Sequence, residues 1–448
     1  MPNKSLQPAH NTSGSDWKFA IRALRHRNYA LFFSGQTVSL IGTWMTRIAT
    51  AWLVYRLTNS AFLLGLVGFS GQIPVFVLGP FAGVWVDRWN RHRVLVVTQT
   101  LSMLQSFSLA VLALSHHIAV TDIILLSLFQ GAINAFDMPA RQAFVIQMVE
   151  DREDLSNAIA LNSSMVNASR LIGPSIAGAV IALAGEGYCF LIDGFSYLAV
   201  IASLLAMVIT RKREIKPRQP VWQEFSEGWR YVARFVPIRS ILLLLGLVSL
   251  VGMPYTVLMP LFAARVLHGG AHTLGFLMGA SGVGALISAG WLAARKSVLG
   301  LGRVIPTMAG VFGGALIAFS FSHLLWLSLL LMVVTGFGMM QQMAASNTVL
   351  QTIADEDKRG RVMSFYSVAF QGMAPFGSLF AGIVANRIGA PYTLAIGGFC
   401  CIAGGLWFIG KLPQIRALIR PIYRKLGILP EIADGIQAAT ALQVPPEN

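Results

Sequence analysis

Three charged side chains sit where charge is unfavourable. Arg47, Arg170 and Asp193 each fall within a long apolar stretch of this 448-residue chain. In the hydrocarbon of a bilayer an ionised side chain costs at least about 2.5–3.5 kcal/mol, so it turns to a polar cavity or a partner. The chemistry open to these groups is binding and charge transfer rather than bond-making. Arg47 can attract an anionic or catecholate-like ligand. Asp193 can carry a proton, or pair with Arg170 from the preceding apolar stretch. All three can equally serve as static interhelical ion pairs, or reach for an interface.

A second group lies between two apolar stretches: Gly83-Val84-Trp85-Val86-Asp87-Arg88-Trp89-Asn90-Arg91-His92-Arg93. Basic residues alone are common beside a membrane span. They account for Arg88, Arg91 and Arg93 but not for Asp87, an acid just inside a basic loop. Other chemistry is not signalled. There is no Gly-Lys-Ser/Thr phosphate cradle, no Ser-His-Asp set and no metal-ligand cluster, so neither an enzyme nor a cofactor or metal is expected. Cys189, Cys400 and Cys401 lie in apolar runs, which suits neither a disulfide framework nor a zinc site. His116, His117, His268, His272 and His323 fall in connecting loops, where solvation is the default. The 17 methionines and 10% aromatic residues suit an adaptable cavity for an amphipathic ligand. They serve equally in packing and against lipid.

The elements that must position these residues are membrane helices. The chain is 55% hydrophobic and only 12% charged, where a soluble domain carries about 25% charged residues. Apolar runs of spanning length fall at roughly 29–55, 62–84, 94–115, 119–139, 157–184, 189–210, 239–263, 273–294, 304–322, 324–345, 362–386 and 391–411. If the N-terminus is cytoplasmic, the inner loops hold most of the Lys and Arg, and the outer ones only Arg56, Arg265 and Arg387. This is the positive-inside pattern, with both termini inside. The net charge of +15 therefore orients the chain and meets anionic lipid headgroups; no nucleic-acid partner is implied. The polar start, up to Asp16, carries no apolar signal region, so no cleaved leader is expected.

The chain divides near its middle. Arg211 to Arg239 is the longest polar interval, with six spans on either side. At an offset of about 204 residues, Gln147 falls on Gln351, Asp151 on Asp355, Gly173 on Gly377 and Gly178 on Gly382. A worn echo of the charged loop follows Gly290: Arg295, Lys296 and Arg303, with Ala294 in place of the acid. The expected organisation is a tail (1–28), a six-helix half (29–210), a linker (211–238), a second half (239–411) and a tail (412–448). Within the linker, Trp222, Phe225, Trp229, Val232 and Phe235 recur at helical spacing. This predicts an amphipathic helix on the inner membrane surface, a tether between the halves.

The pattern Gly83-x-x-x-Asp87-Arg88-x-x-Arg91-x-Arg93 resembles the signature loop between the second and third helices of the major facilitator superfamily. Asn90 stands where that family usually has Gly. Asn tolerates the left-handed conformation better than other residues with a side chain, which predicts that the turn is kept. The resemblance implies an all-α fold of twelve transmembrane helices in two pseudo-symmetric halves, with a substrate site between them. It also implies a latch that shuts the cytoplasmic side. Gly83 allows close helix approach, Asp87 faces the start of the eleventh helix near Gly360-Arg361-Val362, and Arg91 or Arg93 reaches Asp137.

A narrower resemblance rests on Asn28-Tyr29-x-Leu31-Phe32-Phe33-x-Gly35-Gln36, Gly42-Thr43-Trp44-Met45 and Trp52-Leu53-Val54-Tyr55. Pro139-Ala140-Arg141-Gln142-Ala143-Phe144 and Arg359-Gly360-Arg361-Val362-Met363-Ser364 extend it. The set is similar to the bacterial branch that includes the enterobactin exporter and macrolide-efflux proteins, over about residues 18–410. Gly173-Pro174-Ser175-Ile176-Ala177-Gly178 resembles the Gly-Pro motif of antiporters, with Ala177 replacing a Gly. It implies a helix pivot that goes with export, or else an ordinary proline kink. Two features depart from proton antiporters of this kind: Thr43 replaces an Asp, and no Arg motif surrounds Gln130-Gly131. The function implied is export of a small amphipathic molecule by alternating access, with protons as the coupling ion. An uptake permease, a uniporter, a receptor or a scramblase on the same fold is the alternative.

Overall fold

The structure, a computed structural model, describes residues 22–149, 154–208, 221–295 and 297–428, except the side chains of residues 80, 84, 87, 156 and 221–225. A single turn at Arg22–Arg25 leads into α1 (Arg27–Thr58), α2 (Ala61–Arg88), α3 (Arg91–Leu114), α4 (Val120–Met148), α5 (Leu155–Ala184) and α6 (Glu186–Leu205). The amphipathic α7 (Val221–Arg234) follows. Then come α8 (Val236–Val266), α9 (Ala271–Ala293), α10 (Leu301–Ser320), α11 (Leu325–Ile353), α12 (Arg359–Ile388) and α13 (Ala390–Lys425).

Eleven of these helices are long and apolar enough to cross a bilayer. The exception among the long ones is α1, whose 32 residues include Gln36, Arg47 and Arg56. It can be polar because it packs against α5 and α6. The helices run past the apolar runs at their polar ends. Thus α4 continues through Pro139 to Met148, and α13 through Pro413 and Pro421 to Lys425.

Tight connections order the bundle. Ser60 caps α2 by accepting from the Leu63 N–H at 3.3 Å. The turn at Asn90 is built differently from the expected one. Asn90 has φ −74° and ψ 107°, an extended conformation. Its Oδ1 accepts from the His92 and Arg93 N–H groups at 3.1 and 3.3 Å, so it caps α3. The side-chain carbonyl is used here, not left-handed tolerance.

Within the first group of helices, α1 packs on α5 and α6, α2 on α4, and α3 on α4 and α6. In the second, α9 packs on α11, and α10 on α11 and α13. Two seams join the groups, α2 with α12 and α5 with α9. Both are made of glycine, because only a missing Cβ lets two helix backbones come this close. A Cβ on Gly65 would meet the Ser378 carbonyl and Gly382, and one on Gly178 would meet the Ala271 carbonyl and Gly275. The offset pairs make matching contacts. Gly178 packs on α9 and Gly382 on α2; Gly173 packs on Ile41 and Trp44 of α1, and Gly377 on Leu250 and Pro254 of α8.

The seams hold one end of the bundle shut. There Arg265 Nη2 donates to the Asn59 carbonyl at 2.7 Å, and Arg56 Nε donates to Glu186 Oε1 at 2.9 Å. Along α2 the seam runs through Phe69 and Phe76, whose rings lie 6.3 and 5.3 Å from that of Phe376. Beyond it, toward the end bearing Asp87 to Arg93, Gly79 and Gly83 have open space beside them. Along α5, Ser163 and Ser164 are exposed beyond the contact of Leu171 with Gly282. The groups therefore part toward the basic end.

At that end α7 packs on the start of α12. Glu227 Oε2 lies 2.9 Å from Arg361 Nη1, and the Trp229 and Phe365 rings are 6.0 Å apart. Tyr231 Oη accepts from the Asp355 N–H at 3.3 Å. The amphipathic pattern thus yields the expected helix, with Val232 buried on protein and Trp229 still 57% exposed. The side chains of Trp222 and Phe225 are outside the described part.

Candidate functional site

Among the described residues Asp193 is the most deeply placed carboxylate of the first group, 2% exposed at the meeting of α6, α1 and α3. Gly42 of α1 makes room for it: a Cβ there would strike Asp193 Oδ1 and the Ser196 hydroxyl. Thr46 and Ser106 donate to Oδ2 at 2.7 and 2.8 Å, and the Ser196 hydroxyl lies 3.4 Å from Oδ1. No described cation is paired with it. The expected pairing with Arg170 is therefore absent. Although α5 and α6 are consecutive, Asp193 turns toward α1 and α3, while Arg170 lies on another side of α1. Hydroxyls can donate to a carboxylate or accept from a carboxylic acid, so this set accommodates either protonation state.

One turn along, Tyr197 Oη lies 3.4 Å from the Thr43 hydroxyl. Further polar groups step toward the basic end. Gln130 Nε2 donates to Ser102 Oγ at 3.1 Å and to Asn134 Oδ1 at 3.2 Å. Gln99 Nε2 and Thr98 Oγ1 donate to Asp137 Oδ1 at 2.8 and 2.9 Å. The cation on Asp137 is Arg141, one turn further along α4. This differs from the expected reach of Arg91 or Arg93, because a residue four positions away on the same helix is already in place. Arg93 is exposed, and Gly83 makes no close helix contact in this open arrangement. Arg88 closes α2 and Arg91 opens α3. The side chain of Asp87 lies outside the described part.

Arg47 and Arg170 meet at one aromatic ring. The guanidinium carbon of Arg47 lies 4.9 Å from the Trp44 ring centre, and that of Arg170 5.8 Å. Arg170 Nη2 also lies 3.9 Å from Met339 Sδ on α11, across the space between the groups. Below Trp44, Gly173 receives its Cβ, so the Gly173-Pro174 step seats α5 on α1. Five residues on, Gly178 seats the same helix on α9. The motif thus touches both groups.

A family model described as transmembrane secretion effector, of the major facilitator superfamily, matches residues 19–422. The chain belongs to this family. Among the relatives of this major facilitator protein, the staphyloferrin A transporter of Staphylococcus aureus is 27% identical, covering 86% of this chain and 97% of its own. The multidrug efflux pump Tap of Mycolicibacterium fortuitum is also 27% identical, covering 84% and 93%. In fold it is similar to a bacterial homolog of the human lysosomal transporter Spinster in an inward-facing and occupied conformation. That match has a TM-score of 0.65 at 15% identity, covering 89% of this chain and 98% of that one. The chain is thus a multi-pass membrane transporter of the efflux branch.

Trp44, Thr46, Ser106, Ser196, Gly65 and Gly275 were not marked out by sequence reasoning. Trp44 was visible as part of Gly42-Thr43-Trp44-Met45, but nothing in a sequence shows that two arginines share its ring.

Asp193→Asn keeps the hydroxyl contacts and removes the ionisable group. It is expected to be recovered folded at wild-type levels yet to lose gradient-driven transport, while exchange of substrate across the membrane at equal pH persists. Counterflow and pH-driven flux, measured on the same proteoliposomes, test this. Intact pH-driven flux would rule out Asp193 as a proton carrier.

Proposed function

We propose that this transporter exports a small amphipathic molecule from the bacterial cytoplasm by alternating access, exchanging it for protons. It lies in the cytoplasmic membrane with both termini inside, and its two halves are related by a pseudo-two-fold axis along the membrane normal. The observation that carries this reading is the pair of glycine seams that shut one end while the basic end stands open around Arg47 and Arg170. On this orientation the structure is open to the cytoplasm, the state in which an exporter loads. Gly173 and Gly377 pack at corresponding places in the two groups, as do Gly178 and Gly382, which supports two related halves. The relatives' names support export of a siderophore or drug. A latch of Asp87, Arg88, Arg91 and Arg93 would close the inner side, α7 tethers the halves, and lipid headgroups face the basic loops.

Everted membrane vesicles energised by respiration test the reading with a panel of siderophores, macrolides and dyes. At least one compound should accumulate in vesicles that contain the protein, and a protonophore should abolish the accumulation. Accumulation in right-side-out vesicles instead would indicate uptake.

Orientation has its own test. Cysteines placed at Asn59 and His268, both exposed, are expected to react with an impermeant maleimide added to intact cells; one placed at exposed Asp357 is not. Labelling at 357 alone would invert the topology. The linker position Pro217 belongs to the same inner set but lies outside the described residues.

A further inference from the structure

Two arginines share one tryptophan at mid-depth, and neither has an acid. Arg47 stands on α1 and Arg170 on α5, at 4.9 and 5.8 Å from the centre of the same Trp44 ring. Among the described residues no carboxylate is paired with either. Asp193, the described acid at similar depth in α6, is held by three hydroxyls on the other side of α1. Arg47 is nevertheless exposed, and Arg170 half-buried. That exposure is to the space between the groups: Gly42 and Thr46 occupy the side of α1 that meets α6, and Arg170 points across to Met339 of α11.

Two like charges this close repel each other, and a low-dielectric setting strengthens that repulsion. The ring faces offset only part of it. A site that holds two unneutralised guanidinium groups, one exposed and one half-buried, beside apolar Trp44 and Met339 is matched by a ligand that brings the negative charge and an apolar body together. A guanidinium also presents a planar fork suited to a carboxylate, which an ammonium does not. We infer that the substrate is an amphipathic organic anion, carrying at least one carboxylate or equivalent oxyanion, held between Arg47 and Arg170 with its apolar part on Trp44 and Met339. This rests on the transport reading above and narrows it, since a cationic drug would meet repulsion at the same place. It also gives the inner opening a role, because an anion entering there passes the basic loops first.

The purified protein in nanodiscs can be tested with two probes that share a fluorophore and differ in charge, dansyl-glutamate and dansyl-cadaverine. Wild type is expected to bind the dicarboxylate in preference to the amine, with affinity falling as NaCl rises. Arg47→Gln and Arg170→Gln should each weaken dansyl-glutamate binding by about tenfold or more. Arg47→Lys and Arg170→Lys should keep the preference for the anion at lower affinity, which supplies a reading if either Gln variant fails to fold. Equal binding of the two probes by wild type, unchanged anion binding in the folded Gln variants, or loss of anion preference in the Lys variants would overturn the inference. The same preparations, assayed for movement of both probes in energised vesicles, separate the two claims. Movement of the amine alone leaves transport standing and removes the anion site. Arginine-dependent anion binding without movement of any compound leaves the site and removes the transport reading.

Discussion

Gly382→Leu is expected to reduce transport to background. A side chain there has nowhere to go: its Cβ would meet the Gly65 Cα and the Ala61 carbonyl, both backbone of α2. A flexible neighbour could swing aside, but two helix backbones cannot. Overpacking of a fitted contact costs about 1–3 kcal/mol, and an energy of that size applied to one of two states shifts their ratio roughly 5- to 150-fold. On the proposed alternating-access cycle the seam is made while the end near Asn59 is shut, so the penalty falls on the state with the basic end open. The variant should therefore accumulate with the opposite end open. Two measurements check this together: flux in vesicles, and the rate at which an impermeant maleimide reaches a cysteine introduced at Leu261, which is buried near the seam. Gly410→Leu is the control, since that glycine has only open space around it. Normal flux in Gly382→Leu would mean that the seam does not need to re-form during transport.

The bundle itself was legible because spanning helices need long apolar runs, and nothing else in this composition explains them. The helix ends were less so. Beyond the hydrocarbon, helices continue on polar residues, as α4 does past Pro139 and α13 past Lys411. Repetition at a fixed offset pointed to Gly173, Gly178, Gly377 and Gly382, but not to their partners. Gly65 and Gly275 look like any glycine in a membrane helix until the facing backbone is seen. Asp193 and Arg170 were candidate partners because their helices are consecutive. Chain order says which helices are near and not which sides they turn, and the single-glycine turn at Gly185, with φ 95°, leaves Asp193 aimed at α1. Asn90 was expected to imitate glycine and uses its side-chain oxygen instead. For α7, amphipathic spacing revealed an apolar side but not that α12 receives part of it. On the proposed latch, that contact is what closure of the inner side would displace.

Asp87→Asn is expected to lower transport to about a tenth or less of wild type without reducing insertion. The start of α12 carries no side-chain cap, although Asp355, Glu356 and Asp357 stand just before it. Its cap residue is Lys358, and its first turn holds no acid. Free N–H groups and the helix dipole favour a carboxylate there by about 0.3–1 kcal/mol at a surface, and up to about 2 kcal/mol when partly buried. With the basic end open, Arg361 in that first turn is instead paired with Glu227 of α7, at 2.9 Å. Glu227 is 52% exposed and Arg361 28%, so the pair is largely screened, contributes at most about 1 kcal/mol and yields readily. Asp87, in the last turn of α2, would take over the same helix start when the inner side closes. The exchange makes opposite predictions for the two acids. Asp87→Asn removes a contact of the inner-closed state and should leave the protein open to the cytoplasm. Glu227→Gln removes a contact of the inner-open state and should shift it modestly the other way. Reaction of a cysteine at Ser164, exposed in the opening, reports the balance in everted vesicles. It should react faster in Asp87→Asn, slower in Glu227→Gln, and near the wild-type rate when the two are combined. Wild-type flux in Asp87→Asn at matched expression would show that closure of the inner side does not depend on this acid.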